Sequence, residues 1–236
     1  MKKRKNIVIF SLFLLLILNF IFFESCTFTI FSKKYKSEEE LKQYIEKYPL
    51  LGFFYLYKIE IKKGFLSIKD KQKNYPLFII NGKIIYSNLI DIKGSMQIGS
   101  NIIDVFKFYY NYENHKGYFE DISSKLKYEL AADQLKIPKQ LVYYIEKSSF
   151  LLLLMLKGRK IQNLKNGEIE VDDIILSIKD YKIEKAKIES HTLPLVIYYK
   201  NYRRWDNIYY PSMITILYND YIINFLITDA IFVLTF

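Results

Sequence analysis

The sequence has a single cysteine, two histidines, eight glycines and five prolines. One cysteine excludes an intramolecular disulfide, so the folded part must be stabilised by packing alone. So few glycines and prolines exclude a collagen-like or low-complexity chain, and the 17% of aromatic residues favours a packed core over disorder. The 236 residues, less an N-terminal leader, suit one domain.

Residue patterns typical of an active site are also missing. His115 lies in a polar turn and His191 precedes Thr192, and neither has a cysteine, a second histidine or a carboxylate at a metal-ligand spacing. No Gly-x-Ser-x-Gly elbow, glycine-rich phosphate loop or His-Glu-x-x-His pair is present. Asp172 and Asp173 are adjacent and follow a predicted strand, which indicates a turn. We therefore predict no enzymatic activity, no catalytic residue, no metal site and no cofactor.

The net charge of +10 does not indicate a nucleic-acid partner. Four of the 35 basic residues and one of the 25 acidic residues lie within residues 1–25, which leaves a net charge of +7 on the rest of the chain. These lysines are scattered singly along predicted strands, as on a solvated surface.

The first 25 residues predict export from the cytoplasm. Residues 2–5 are basic and residues 6–23 are almost entirely apolar, which is the pattern of a signal peptide or a membrane anchor. As a helix, these 18 apolar residues would span about 27 Å, so they are also long enough to remain as an uncleaved anchor.

Cys26 is the predicted lipidation site. It follows the apolar run and the small residue Ser25, and there it resembles the lipid-accepting cysteine of a bacterial lipoprotein, although Phe23 and Glu24 depart from the usual lipobox. The alternative is a free thiol beside a retained helix. Either outcome tethers the protein, through residues 26–36, to a membrane of the cell envelope, on the periplasmic face of either membrane or at the cell surface.

Residues 37–236 predict a single β-rich domain of the α+β class. Ser37 and Glu40 form a capping box for a helix that ends at Pro49, and the period changes to two from Phe53. A hairpin is predicted around Asn81-Gly82, helices over 124–135 and 138–147, a buried segment over 150–156, and consecutive strands from Ile161 to the end. The prediction is a curled antiparallel sheet with a few helices on its concave side.

Several predicted strands are apolar on both faces, so one face must be covered by helices, another protomer or a ligand. The C-terminal strands also carry a resemblance to a known family. Leu193–Tyr202 ends in a tyrosine, Pro211 enters the next strand in a Pro-x-x-Ile-x-Ile pattern, and an apolar strand follows over 222–232. Residues 193–236 resemble the final strands of the outer-membrane lipoprotein-sorting proteins, the LolA and LolB superfamily.

The resemblance implies an incomplete β-barrel whose helices cover a hydrophobic hollow. It implies an envelope lipoprotein that carries or accepts acyl chains of lipoproteins or lipids at a membrane. The side chains that we expect to line the hollow are Tyr55, Tyr57, Ile197, Tyr199, Ile214 and Ile216.

Two other interpretations stay open. The chain is also compatible with a surface or periplasmic lipoprotein that acts as a protein-binding or structural module without lipid cargo. It further resembles the bitopic lipopolysaccharide-transport component, which has an N-terminal helix and a twisted β-structure. A carrier needs a hollow large enough for alkyl chains, whereas an interaction module needs only an exposed patch.

Overall fold

The computed structural model describes residues 37–114, 116–129, 153–159, 161–163, 167–172, 174–188, 195–206 and 208–235. The leader, the tether with Cys26, both histidines and Asp173 lie outside these ranges. In the part of the chain that is described, no helix is long and apolar enough to cross a membrane. The chain divides into two compact units, Met1–Gln43 and Tyr44–Phe236, and the second contains the whole sheet.

Within the described residues, two short helices precede the sheet. Helix α1 (Glu38–Lys47) begins with the predicted cap, because the Ser37 hydroxyl accepts a hydrogen bond from the Glu40 amide at 3.2 Å. Helix α2 (Pro49–Tyr55) replaces the predicted start of the first strand at Phe53, so that prediction was wrong. Pro49 ends one helix and begins the next, since a first helical turn does not need the missing N–H group.

In the part of the chain that the structure describes, thirteen strands form one antiparallel sheet. The N-terminal group is β1 (Leu56–Lys69), β2 (Phe78–Ile85), β3 (Leu89–Ile98), β4 (Asn101–Asn111), β5 (Lys116–Asp121) and β6 (Leu126–Glu129). The C-terminal group is β7 (Ile161–Asn163), β8 (Glu168–Val171), β9 (Ile174–Lys179), β10 (Lys182–Ile188), β11 (Leu195–Trp205), β12 (Ile208–Tyr218) and β13 (Tyr221–Leu234).

The strand order is β6-β5-β4-β3-β2-β1-β13-β12-β11-β10-β9-β8-β7. Each group is a meander, and the two groups join where the first strand pairs with the last, from Leu56 opposite Leu234 to Lys69 opposite Ile222. Strands β6 and β7 are the two edges, so the sheet curls without closing. The predicted curled antiparallel sheet is confirmed.

The hairpin predicted at Asn81-Gly82 is wrong, because both residues lie inside strand β2. Gly82 has a φ of +152°, and a Cβ atom there would lie 2.1 Å from the Asp91 carbonyl oxygen. The glycine thus permits a close approach of two strands, whereas the turn follows at residues 86–88, where Ser87 has a φ of 56°.

Strand β6 replaces the first part of the helix predicted over 124–135. The Asp121 carboxylate accepts hydrogen bonds from the Ser123 and Ser124 amides at 3.0 and 3.2 Å, which forms a turn in place of a helix cap. The turn directs Leu126 back to pair with Asp121. The rest of this helix and the helix predicted over 138–147 lie outside the described residues.

The segment predicted to be buried is confirmed for Leu154, Met155 and Leu156, which are fully buried. The Leu156 amide donates to the Phe53 carbonyl at 2.9 Å, and the Tyr210 hydroxyl donates to the Leu153 carbonyl at 2.7 Å. These two bonds attach the segment to helix α2 and to strand β12.

Candidate apolar binding face

One face of the sheet is apolar across seven consecutive strands. Residues directly opposite each other in an antiparallel pair share a face, so the register identifies the side chains that lie side by side. A first row runs from β1 to β8 through Ile68, Ile223, Ile216, Ile197, Ala186, Leu176 and Ile169. A second row runs from β2 to β11 through Phe78, Leu66, Phe225, Ile214 and Tyr199.

Burial divides this face into two parts. The part that we call the covered core consists of side chains at most 6% exposed: Ile169, Leu176, Ala186, Ile197, Tyr199 and Ile214. The part that we call the open apolar surface consists of half-buried side chains: Leu66, Ile68, Phe78, Phe106, Ile216, Ile223 and Phe225. Each row therefore begins in the open apolar surface and ends in the covered core.

Aromatic rings extend the open apolar surface over strands β2 to β5. The ring centroids of Phe78 and Phe106 are 5.4 Å apart, and those of Phe106 and Phe119 are 5.7 Å apart. Phe106 lies directly against Gly94 on the neighbouring strand, because a Cβ atom at Gly94 would lie 2.1 Å from the Phe106 Cε1 atom. The missing side chain at Gly94 thus sets where this ring lies.

Helix α2 packs on the apolar face near the ends of β11 and β12. The Phe53 ring centroid lies 6.1 Å from that of Tyr210 and 6.5 Å from that of Tyr202. Tyr210 is fully buried, and its hydroxyl is satisfied by the Leu153 carbonyl. Burial, followed by the nearby Tyr202, raises the pKa of Tyr210 well above its usual value, so this side chain is a neutral core residue.

Four of the six predicted lining residues lie together on this face. Ile197 is opposite Ile216, and Tyr199 is opposite Ile214. Ile197, Tyr199 and Ile214 belong to the covered core, where side chains pack against one another, whereas Ile216 belongs to the open apolar surface.

The other two predicted residues lie elsewhere. Tyr55 ends helix α2, and Tyr57 lies at a shift in register between Leu56 and Lys58, with the Lys157 ammonium 5.5 Å from its ring centroid. The sequence prediction did not include Leu66, Phe78, Phe106 or Phe225. Their alternating apolar pattern was visible, but such a pattern does not indicate which side chains of an apolar face are fully buried and which are half-buried.

The Asp172 carboxylate, considered above for acid–base chemistry, lies within the described residues. Asp172 lies in a turn with a φ of 55° and pairs with Arg159, as the sequence predicted for a turn. Among the residues that the structure describes, no group of three histidine, cysteine, aspartate or glutamate side chains could hold a metal ion.

Comparison with known proteins gives similarity in structure but not in sequence. No protein-family model and no curated protein matches the sequence. A DUF1329 family protein from Desulfovibrio piger matches with a TM-score of 0.50 and 6% identity, over 82% of this chain and 90% of that one. A LolA superfamily protein from Nitrosomonas europaea matches with a TM-score of 0.47 and 10% identity, over 80% and 92% of the two chains. A protein of the superfamily that residues 193–236 resemble is thus among the matched structures, and at these identities a likeness concerns the fold alone.

Proposed function

We propose that this chain is an envelope lipoprotein that binds acyl chains of lipoproteins or lipids and carries or accepts them at a membrane. The observation that carries the proposal is the open apolar surface, on which seven half-buried side chains continue the face of the covered core. A folded protein normally covers such a face, so a partner with apolar chains would complete it.

The proposed mechanism is transfer between apolar sites without covalent chemistry. Each methylene kept from water contributes about 0.8 kcal/mol, so several methylenes of an alkyl chain make binding favourable while leaving it reversible. The phenyl rings of Phe78, Phe106 and Phe225 would contact the chain, together with the branched side chains of Ile216 and Ile223. Helices over the concave side of an incomplete barrel would complete the site.

Attachment to the membrane is part of the same proposal. Acyl groups on Cys26 would hold the domain at the surface where acyl chains enter and leave. Labelling with a radioactive fatty acid, in cells that produce the wild type or Cys26→Ala, tests this step. We expect label on the wild type only, and an unlabelled wild type would leave a retained N-terminal helix as the anchor.

Site-specific photo-crosslinking of the full chain in cells tests the binding site. A benzophenone amino acid at Phe225 would point from the open apolar surface, whereas the same group at Leu226 would point from the opposite face. Leu226 is a matched control, because it is the next residue in β13 and is 38% exposed.

We expect lipid or acylated-protein adducts at position 225 and few at 226, identified by mass spectrometry. Equal yields at the two positions would contradict the proposed site. Protein adducts without acyl groups at position 225 would favour the protein-binding module instead.

A further inference from the structure

The face opposite the open apolar surface is strongly charged on strands β1 to β4. A cleft of about 790 Å³ lies over it and is lined by Lys58, Lys62, Lys83, Lys93 and Lys107. Three carboxylates line the same cleft, those of Glu60, Asp91 and Asp104. Five lysines against three carboxylates leave two positive charges in one cavity.

Local irregularities of the strands contribute to the cleft. Between Ile61 and Gly64, strand β1 has one residue more than strand β2, and this bulge contains Lys62. Gly82, directly opposite Ile61, also lines the cleft, and its backbone lies against that of Asp91. The bulge and this close approach of two strands thus lie at the cavity, and Asn81 adds an amide to its lining.

The carboxylates hold most of these lysines in place. Glu60 accepts hydrogen bonds from Lys58, at 2.7 Å, and from Lys62. The Lys93 ammonium lies 2.6 Å from the Asp104 carboxylate, and that of Lys107 lies 3.6 Å from Asp91. An ammonium group has three N–H donors, so a lysine that donates to one carboxylate keeps donors for a ligand.

Lys83 differs from the other four lysines. Its backbone pairs directly with Glu60 on one side and Asp91 on the other, yet it forms no ion pair within the described residues. Ion pairs at a surface contribute little to stability. The stability of the fold therefore does not require five lysines at this cleft. Lys83 is the ammonium group most available to an anion.

We propose that this cleft binds a phosphate group, carried either by a lipid headgroup or by a free solute. A phosphate offers several oxygens to ammonium donors that converge from different strands, and lysine binds it as a point charge. A doubly negative group would match the two positive charges of the cavity. This site lies on the other face of the strands that form the open apolar surface, so it does not depend on the acyl-chain proposal.

Calorimetric titration of the full chain in neutral detergent micelles with inorganic pyrophosphate tests the site. We expect saturable binding that weakens as ionic strength rises. Lys83→Gln and Lys62→Gln should each weaken it about tenfold, which corresponds to one lost charge-assisted contact. Lys69→Gln is the matched control, because Lys69 is an exposed lysine of the same strand outside the cleft, and it should change the affinity less than about twofold.

A second arm identifies the source of the phosphate. Phosphatidylglycerol added to the micelles should compete with pyrophosphate if the natural ligand is a lipid headgroup, whereas phosphatidylcholine should not. Competition supports the headgroup, and undiminished pyrophosphate binding supports a free solute. Absence of binding, or an equal loss in Lys69→Gln and Lys83→Gln, would overturn the proposal, since all three side chains lie at the surface and leave the fold intact.

Discussion

The covered core and the open apolar surface have the same kinds of side chain but very different exposure. Ile197 and Ile216 are directly opposite each other on neighbouring strands, yet Ile197 is 0% exposed and Ile216 is half-buried. The strand pattern is equally apolar at both places. The difference lies in how closely other side chains pack on the two residues. An alternating strand therefore indicates an apolar face, but it does not indicate how deeply each side chain of that face is buried.

The largest expected effect is a difference in the free energy of unfolding between a variant of the covered core and a variant of the open apolar surface. Ile197→Ala should lower the free energy of unfolding by about 3 kcal/mol, because it leaves a cavity among buried neighbours. Ile216→Ala should lower it by about 1 kcal/mol, since water already reaches the site. Denaturant titration of both variants measures the difference. Equal losses would mean that Ile216 is packed as tightly as Ile197, and the distinction between the two parts would fail.

The second prediction concerns Gly94 and the position of Phe106. Gly94→Ala should cost about 2 kcal/mol, because the new methyl group overlaps the Phe106 ring. Phe106→Ala in the same chain should remove most of this penalty, and a double-mutant cycle measures the coupling. Independent effects of the two substitutions would show that the ring does not lie on the glycine.

Much of the architecture was predictable where the controlling interactions are local. The Ser37 cap depends on residues three apart, and strands β9 to β13 coincide with apolar runs that follow one another along the chain. Residues 53–55 were misassigned because three apolar residues in a row fit a buried helix as well as a strand. The Asn81-Gly82 pattern was also ambiguous, because glycine is favoured both in a hairpin turn and where two strands approach closely.

The candidate site was less predictable, for a physical reason. Ile197, Tyr199, Ile214 and Ile216, which we expected to line a hollow, lie on one face of the sheet, and that hollow stays a prediction. Burial, in contrast, depends on contacts between parts of the chain that are distant in sequence, as Phe53 and Leu153 against Tyr210 illustrate. The lysines of the cleft looked scattered along the chain because the sheet brings together lysines of four different strands.

The third prediction uses the hydroxyl group of Tyr210, the buried tyrosine that packs against helix α2. Tyr210→Phe should cost about 1.5 kcal/mol, because it leaves the buried Leu153 carbonyl without its donor. Tyr218→Phe, at a half-buried position of the same strand, should cost less.

Tyrosine hydroxyl groups inside the fold predict that stability depends on pH in the alkaline range. Burial raises the pKa of Tyr199, Tyr202 and Tyr210 above 10.0, so the folded state retains protons that the unfolded state loses. Stability should therefore be fully present below about pH 10 and should fall as the pH rises above it. Unfolding measured between pH 8 and pH 11 should give a shallower decline for Tyr210→Phe, and an unchanged slope would mean that this hydroxyl is accessible to water.

The smallest expected effect on stability is the one that bears most on function. Phe225→Gln should cost about 1 kcal/mol or less, because the side chain is half-buried. If acyl chains bind the open apolar surface, the same substitution should weaken binding of a fluorescent fatty acid at least about fivefold, since a polar amide replaces a ring that contacts the chain. Leu226→Gln on the opposite face should leave that affinity unchanged. A stability loss above that of Ile197→Ala would instead place Phe225 in a filled core, and the open apolar surface would have no free room for a ligand.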